Sequence, residues 1–115
     1  MEETTLFDKI LAGDIESDTV YDDEYVYAFR DINPQAPVHV LVIPKAKLRS
    51  FADVRSADPA AIGEFMKGVS RVAAHLQLEE GGYRVVFNTG PDAQQTVHYI
   101  HAHILGGRAM SWPPG

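Results

Sequence analysis

The sequence predicts an α+β domain: an antiparallel sheet of about five strands with one long and one short helix, in a single unit over residues 1–115. Three observations predict it. Val38-His39-Val40-Leu41-Val42-Ile43 is apolar on both faces apart from one histidine, the mark of a central strand covered on most of both sides. Ile62, Phe65, Met66, Val69, Val72, Ala73 and Leu76 recur at three- and four-residue steps, which draws one apolar stripe down a long helix. Near the end, Ile100, Ala102 and Ile104 alternate with Tyr99, His101 and His103, a two-residue period that belongs to a strand with one face in a core.

The elements follow in order. Leu6 to Leu11 reads as a short amphipathic helix, with Thr5 or Thr4 as N-cap and Gly13 as its end. Thr19-Val20-Tyr21 is a short strand, Asp22-Asp23 a turn and Tyr25 to Phe29 a second strand, so the three form a hairpin. Asp31 to Pro37 is a loop stiffened by Pro34 and Pro37. The central strand Val38 to Ile43 stops at Pro44. Asp58 caps the long helix with Pro59 in its first turn, and Gly81-Gly82 closes that segment. Tyr83 to Phe87 is another strand, Asn88 to Asp92 a turn, and the histidine strand comes last. No repeat, linker or low-complexity stretch interrupts this order.

Composition narrows the function classes. A chain of 115 residues supports a single core, and 45% hydrophobic with 23% charged residues is ordinary for a soluble globular protein. No apolar run approaches a membrane span, and Met1-Glu2-Glu3-Thr4-Thr5-Leu6 lacks the layout of a signal peptide, so the expected location is cytoplasmic. The absence of cysteine excludes zinc fingers and thiol chemistry. A net charge of −6 with scattered basic residues argues against a nucleic-acid scaffold. Free nucleotides stay open, because backbone N–H groups can hold a small anion without net positive charge.

The last strand carries the chemistry. His101 and His103 share its polar face and aim into one pocket, and a neutral imidazole is both nucleophile and proton carrier near pH 7. His39 has the parity of Leu41 and Ile43. Alone it reads as a hydrogen-bonded histidine at a strand edge; beside two more it becomes a third member of the cluster. Three histidines also suit zinc. Few carboxylates lie close in sequence to support such ligands, which favours a catalytic wall with no metal and no cofactor. His98 has the opposite parity and points away. Asn88, Thr96 and the glutamines before it read either as loop polarity or as donors for an anion. Trp112-Pro113-Pro114-Gly115 is a stiff apolar tail that either folds back on its own surface or reaches a partner.

At this point the motifs resemble a known family. Gln95 to Gly107 resembles the histidine triad (HIT) superfamily. Leu105-Gly106-Gly107-Arg108-Ala109-Met110 followed by the Trp112 tail is similar to its Hint branch, as are Asp31 to His39, Leu41 to Pro44 and Gly82 to Asn88. The similarity runs from Phe7 to Gly115. It implies a purine nucleoside phosphoramidase: a homodimer, its sheet extended across the dimer, that binds a purine nucleoside monophosphate in a cleft and splits a P–N bond without a metal. It implies His101 as the nucleophile that becomes nucleotidylated. His103, Asn88 and Thr96 would hold the phosphate, helped by backbone N–H groups near Gln94 and Gln95. Asp31 would accept from the ribose hydroxyls, Leu6, Phe7, Ile10, Phe29 and Ile32 would line the base pocket, and His39 would support the histidine cluster. The residues add where the dimer forms. The stripe from Ile62 to Leu76 is longer than a five-strand core of this size needs, so the long helix and the strand near it are expected to build the interface, with Gly63 and Gly68 allowing close approach. Trp112 is expected to cross to the partner's site and shape leaving-group specificity.

One departure bears on activity. The first of the family's three alternating histidines falls at position 99, where this chain has Tyr99, with His98 beside it. In the family the backbone carbonyl of that residue orients the nucleophile, and a tyrosine keeps the carbonyl. Its phenol is expected to hydrogen-bond His39. The competing reading is a nucleotide-binding interaction module with weak or no turnover because of Tyr99.

Overall fold

A computed structural model describes residues 3–115. Its order is α1 (Leu6–Leu11), β1 (Thr19–Asp22), β2 (Val26–Arg30), β3 (Val38–Pro44), a 3₁₀ helix (Phe51–Ser56), α2 (Pro59–His75), β4 (Tyr83–Val86) and β5 (Ala102–Gly106). The strands form one antiparallel sheet in the order β1-β2-β3-β5-β4. β3 is therefore the middle strand, as its apolar character on both faces requires.

The two faces of β3 define two cores. Val40 and Val42, with Val26, Ala28, Ala102 and Ile104, pack beneath Phe65, Val69, Val72 and Ala73 of α2. Leu41 and Ile43, with Phe29 and Tyr99, pack on the opposite face against Phe7 of α1. One-residue alternation thus sends His39, Leu41 and Ile43 to the α1 face, and the pairing of Leu41 with His103 brings the histidines there.

Both helices start on the expected caps. Thr5 accepts from the Asp8 N–H while the Asp8 carboxylate accepts from the Thr5 N–H, a reciprocal pair that satisfies two donors. Asp58 caps α2 with Pro59 behind it. The end of α2 differs from expectation. The helix stops at His75, well before Gly81, because Gln77 takes a left-handed φ of 60° and Leu78 donates back to the Ala73 carbonyl. The buried Leu78 then enters the α2-side core. Gly68 is also corrected. It is buried against the chain's own β2, where an added Cβ would meet Val26 Cγ1 at 2.5 Å, so it serves internal packing and not a partner.

The last strand is shorter than its alternation suggests. The ladder with β3 begins at Ala102, since the Ile100 N–H turns to the Leu48 carbonyl at 2.8 Å. Tyr99 and His101 sit just before it, on a segment held by that backbone bond and by the Tyr99 phenol on the Pro44 carbonyl. The 3₁₀ helix has no counterpart among the expected elements; Ser50 caps it, and Phe51 at its start packs on Phe87, with ring centres 5.6 Å apart.

Candidate active site

The site lies on the α1 face, where three short segments converge. The first is the β2–β3 loop. Asp31 N–H donates to the His39 carbonyl, Asp31 Oδ1 accepts from the Asn33 N–H, and the Gln35 N–H donates to His39 Nδ1 at 3.0 Å. The loop therefore holds the His39 ring directly. The second segment is Gly90 to Val97, stapled by Gln95, whose amide accepts from the Gly90 N–H and donates to the carbonyls of Arg49 and Val97. The third is Tyr99 to His103.

Hydrogen-bond partners fix the tautomers, provided the three rings are neutral. Burial pushes His39 and His101 below the ordinary histidine range. The Asp31 charge opposes this at both rings, and the bond to the Tyr99 carbonyl opposes it further at His101. Burial, reinforced by the neighbouring His101 and His39, pushes His103 down to about 4. All three are then uncharged near pH 7. Because His39 Nδ1 accepts from Gln35, its proton is on Nε2, which lies 2.9 Å from His103 Nδ1 and 3.4 Å from Asp31 Oδ2. His103 Nδ1 accepts that proton's hydrogen bond, so His103 carries its own proton on Nε2. That atom is buried, with no partner among the described residues.

His101 has the complementary state. Its Nδ1 lies 2.7 Å from the Tyr99 carbonyl oxygen, which can only accept, so Nδ1 is protonated and Nε2 holds a free lone pair. The rings of His101 and His103 are 4.9 Å apart between centres, and Phe7 packs edge-on to His101 at 4.9 Å. The site thus sets one nucleophilic nitrogen beside one unspent N–H donor.

Both rings open into a cleft of about 330 Å³. Of the residues expected from the sequence, Leu6, Phe7, Ile10, Phe29, Asp31, Ile32, Thr96, His101 and His103 line it. Ile32 stands fully exposed at its mouth. His39 and Tyr99 lie behind this wall, each bonded to the imidazole it orients. Asn88 does not line the cleft. It is half-buried, two residues beyond Val86, the partner of His103. Trp112 is 83% exposed and lies over Arg84 of its own chain, whose guanidinium donates to the Ser111 carbonyl.

Three expectations change. The Tyr99 phenol does not reach toward His39; it is 1% exposed in the aromatic core and donates to the Pro44 carbonyl. Burial pushes its pKa well above the ordinary phenol range, so it stays neutral. The N–H groups of Gln94 and Gln95 are turned inward, to the carbonyls of Pro91 and Gly90, so in this conformation neither faces a phosphate. Among the described residues the group that could hold a metal is Asp31, His39 and His103, whose ligand atoms lie within 4.8 Å of one another, and not the three histidines. The polar part of that set is already joined by hydrogen bonds from Gln35 through His39 to His103. His98 does point away, to Glu3 and Arg49 on the surface.

Sequence reasoning missed Ile15 to Asp18, Arg30, Leu41 and Val97, which also line the cleft. Leu41 was available from its parity with His39. Ile15 to Asp18 form an aperiodic connection between α1 and β1, and nothing in their pattern points to a cleft.

The comparisons with known proteins agree with this geometry. The HIT domain family model matches residues 12–110. A 14 kDa zinc-binding protein of Zea mays is 50% identical over 96% of this chain and 88% of its own length. The adenylylsulfatase HINT1 of Arabidopsis thaliana is 43% identical over 96% of this chain and 76% of its own. In fold, the crystal structure of a HIT family hydrolase from Legionella pneumophila superimposes with a TM-score of 0.89 at 44% identity, covering 96% of this chain and 98% of that one. By the extent of these matches and by its paired histidines on one sheet face, the chain belongs to the HIT domain family.

Proposed function

We propose that this HIT protein hydrolyses the P–N bond of purine nucleoside phosphoramidates through a covalent nucleotidyl-histidine. The observation that carries the reading is the opposed state of two imidazoles: His101 Nε2 as lone pair, His103 Nε2 as donor, together at the head of one cleft. Attack on phosphorus needs a nitrogen that is free while its partner nitrogen is fixed as a donor. Charge that develops on the phosphoryl oxygens needs a fixed donor already in place. His103 Nε2–H is such a donor, already protonated and with no protein partner among the described residues.

In the first step His101 Nε2 forms a bond to phosphorus and the P–N bond breaks, its electron pair leaving with the amine. The amine needs a proton. A bound phosphoryl anion raises the proton affinity of the buried His103–His39 pair, which then takes up a proton from solvent and passes one from His103 Nε2 to the leaving nitrogen. In the second step water attacks phosphorus and gives one proton to the His103–His39 pair, which returns it to solvent. The bond from phosphorus to His101 Nε2 breaks with its electron pair on nitrogen, so His101 leaves as neutral imidazole still protonated on Nδ1 and the nucleoside monophosphate is released. Leu6, Phe7, Ile10 and Phe29 supply apolar surface suited to a flat purine, and Asp31 offers an acceptor for ribose hydroxyls. Tyr99 keeps the carbonyl that sets the His101 tautomer, which favours turnover over a binding-only module.

The functional unit we infer is a homodimer. β4 is an edge strand, and α2 packs on β2 and β3, so Tyr83 and Val85 are left partly exposed on the α2 side. An uncovered apolar edge of this kind is suited to a second copy.

A steady-state assay on an adenosine phosphoramidate tests the activity, with His101→Ala as control. The variant is expected to lose several orders of magnitude in turnover while AMP binding is largely kept. Equal activity in the two proteins would eliminate the covalent mechanism.

A further inference from the structure

Lys47 is not among the residues lining the cleft and takes no part in the chemistry above, yet it joins three parts of the site. Its ammonium donates to Asp8 Oδ2 at 2.8 Å and to the Glu3 carbonyl at 2.7 Å, and lies 5.5 Å from the centre of the Tyr99 ring. A lysine has three donors; two are spent at the start of α1, and the charge faces an aromatic surface. The Asp8 carboxylate is itself the acid of the α1 capping box, accepting from both the N–H and the hydroxyl of Thr5 at 2.7 and 2.9 Å. One carboxylate therefore holds both the helix start and the lysine.

The far ends of this link are functional. Phe7, one residue before Asp8, packs edge-on to His101 and 6.2 Å from Tyr99, while Leu6, Phe7 and Ile10 wall the cleft. Tyr99 supplies the carbonyl that holds the His101 proton on Nδ1. An exposed ion pair contributes little, but the Lys47 side chain is only 19% exposed and touches both elements at once.

We propose that Lys47 is a positioning residue: it locks α1 onto the Tyr99 segment, so that the cleft wall and the orientation of the His101 imidazole are set together. The proposal deepens the phosphoramidase reading, and its kinetic arm rests on that reading. Lys47→Met removes the ammonium at nearly constant length, and Lys47→Arg keeps the charge. Three quantities are measured: kcat and KM on an adenosine phosphoramidate, the Kd for AMP, and the tautomer of His101 from the ¹⁵N shifts of its ring. Lys47→Met is expected to lower kcat/KM about tenfold or more, since small misplacements at a reacting group are costly. It should also weaken AMP several-fold and shift His101 away from a single Nδ1–H form, with Lys47→Arg restoring most of each. A Lys47→Met protein with a lower Tm but wild-type kcat, Kd and tautomer overturns the proposal. Should Lys47→Met fail to fold, Asp8→Asn removes the charge that Lys47 pairs with while leaving a capping oxygen, and the same outcomes decide. Wild-type protein without phosphoramidase activity would sink the proposed function, whereas the tautomer and AMP binding would still judge Lys47.

Discussion

Replacing Tyr99 separates what its backbone does from what its side chain does. In Tyr99→Phe the carbonyl that accepts from His101 Nδ1 is untouched, while the buried phenol that donates to Pro44 is lost. Removing one partner of a buried hydrogen bond costs about 1–3 kcal/mol. For a domain of this size that is a fall in Tm of roughly 4–12 °C. The effect on catalysis should be far smaller: kcat/KM within about fivefold of wild type, since the fixed tautomer is what the nucleophile requires. Tyr99→His restores the family's residue but gives up the Pro44 bond and opens space beside Phe7, so turnover should rise only modestly, by less than about tenfold. Thermal melts together with kcat/KM for the three proteins on one phosphoramidate separate the two effects. A rise of several orders of magnitude in Tyr99→His would refute the argument, because it would show that an imidazole at position 99, and not a carbonyl, is what the chemistry needs.

Two further predictions follow from the same geometry. Burial, with His101 and His39 close by, holds His103 near 4 in the folded state against an ordinary value of 6.5, so the folded protein binds fewer protons than the unfolded chain between those limits. Stability should then be full above about pH 6.5 and fall on acidification toward pH 4. The loss is about 2 kcal/mol by pH 5, or about 1 M in a urea midpoint, and a midpoint unchanged between pH 7.5 and pH 5 would contradict the neutral assignment. Removing Trp112 to Gly115 should leave the fold and the dimer intact but alter the preference among leaving amines; sedimentation showing a monomer at micromolar concentration would refute the dimer, and an unaltered preference would refute the role of the tail.

Much of the fold was legible because burial writes itself into periodicity. Val38 to Ile43 could be placed in the centre of the sheet, and it lies between β2 and β5. Of the stripe on α2, Phe65, Val69, Val72 and Ala73 are buried and Ile62 and Leu76 half-buried, whereas Met66 is exposed. Where partners outweigh pattern, the sequence was silent. α2 ends at His75 without a glycine because Gln77 accepts the strained φ in exchange for the Ala73–Leu78 closure and burial of Leu78. Gly68 looked like a site for a partner helix, and only the position of Val26 reveals that β2 already occupies that space.

The site divides along the same line. The pairing of Leu41 with His103 makes the two histidine faces one. Within each strand, parity put His101 with His103 and His39 with Leu41 and Ile43, because a sheet face is a one-dimensional property of each strand. The proton positions are not, since each depends on a nearest neighbour brought in by the fold. Gln35 reaches His39 only because the β2–β3 loop curls back, and His39 reaches His103 across 64 residues of sequence. Likewise the phenol of Tyr99 goes to the Pro44 carbonyl and not to His39, a partner 55 residues away in sequence. Reversing the Gln35 contact would reverse every later assignment: a donor at His39 Nδ1 would leave Nε2 as acceptor, make His103 Nδ1 the donor and turn His103 Nε2 into a second lone pair. Two lone pairs would then face the phosphoryl oxygens, repelling the charge the site has to stabilise. One backbone N–H, on a residue that does not itself line the cleft, therefore decides whether the paired histidines can act as nucleophile and donor.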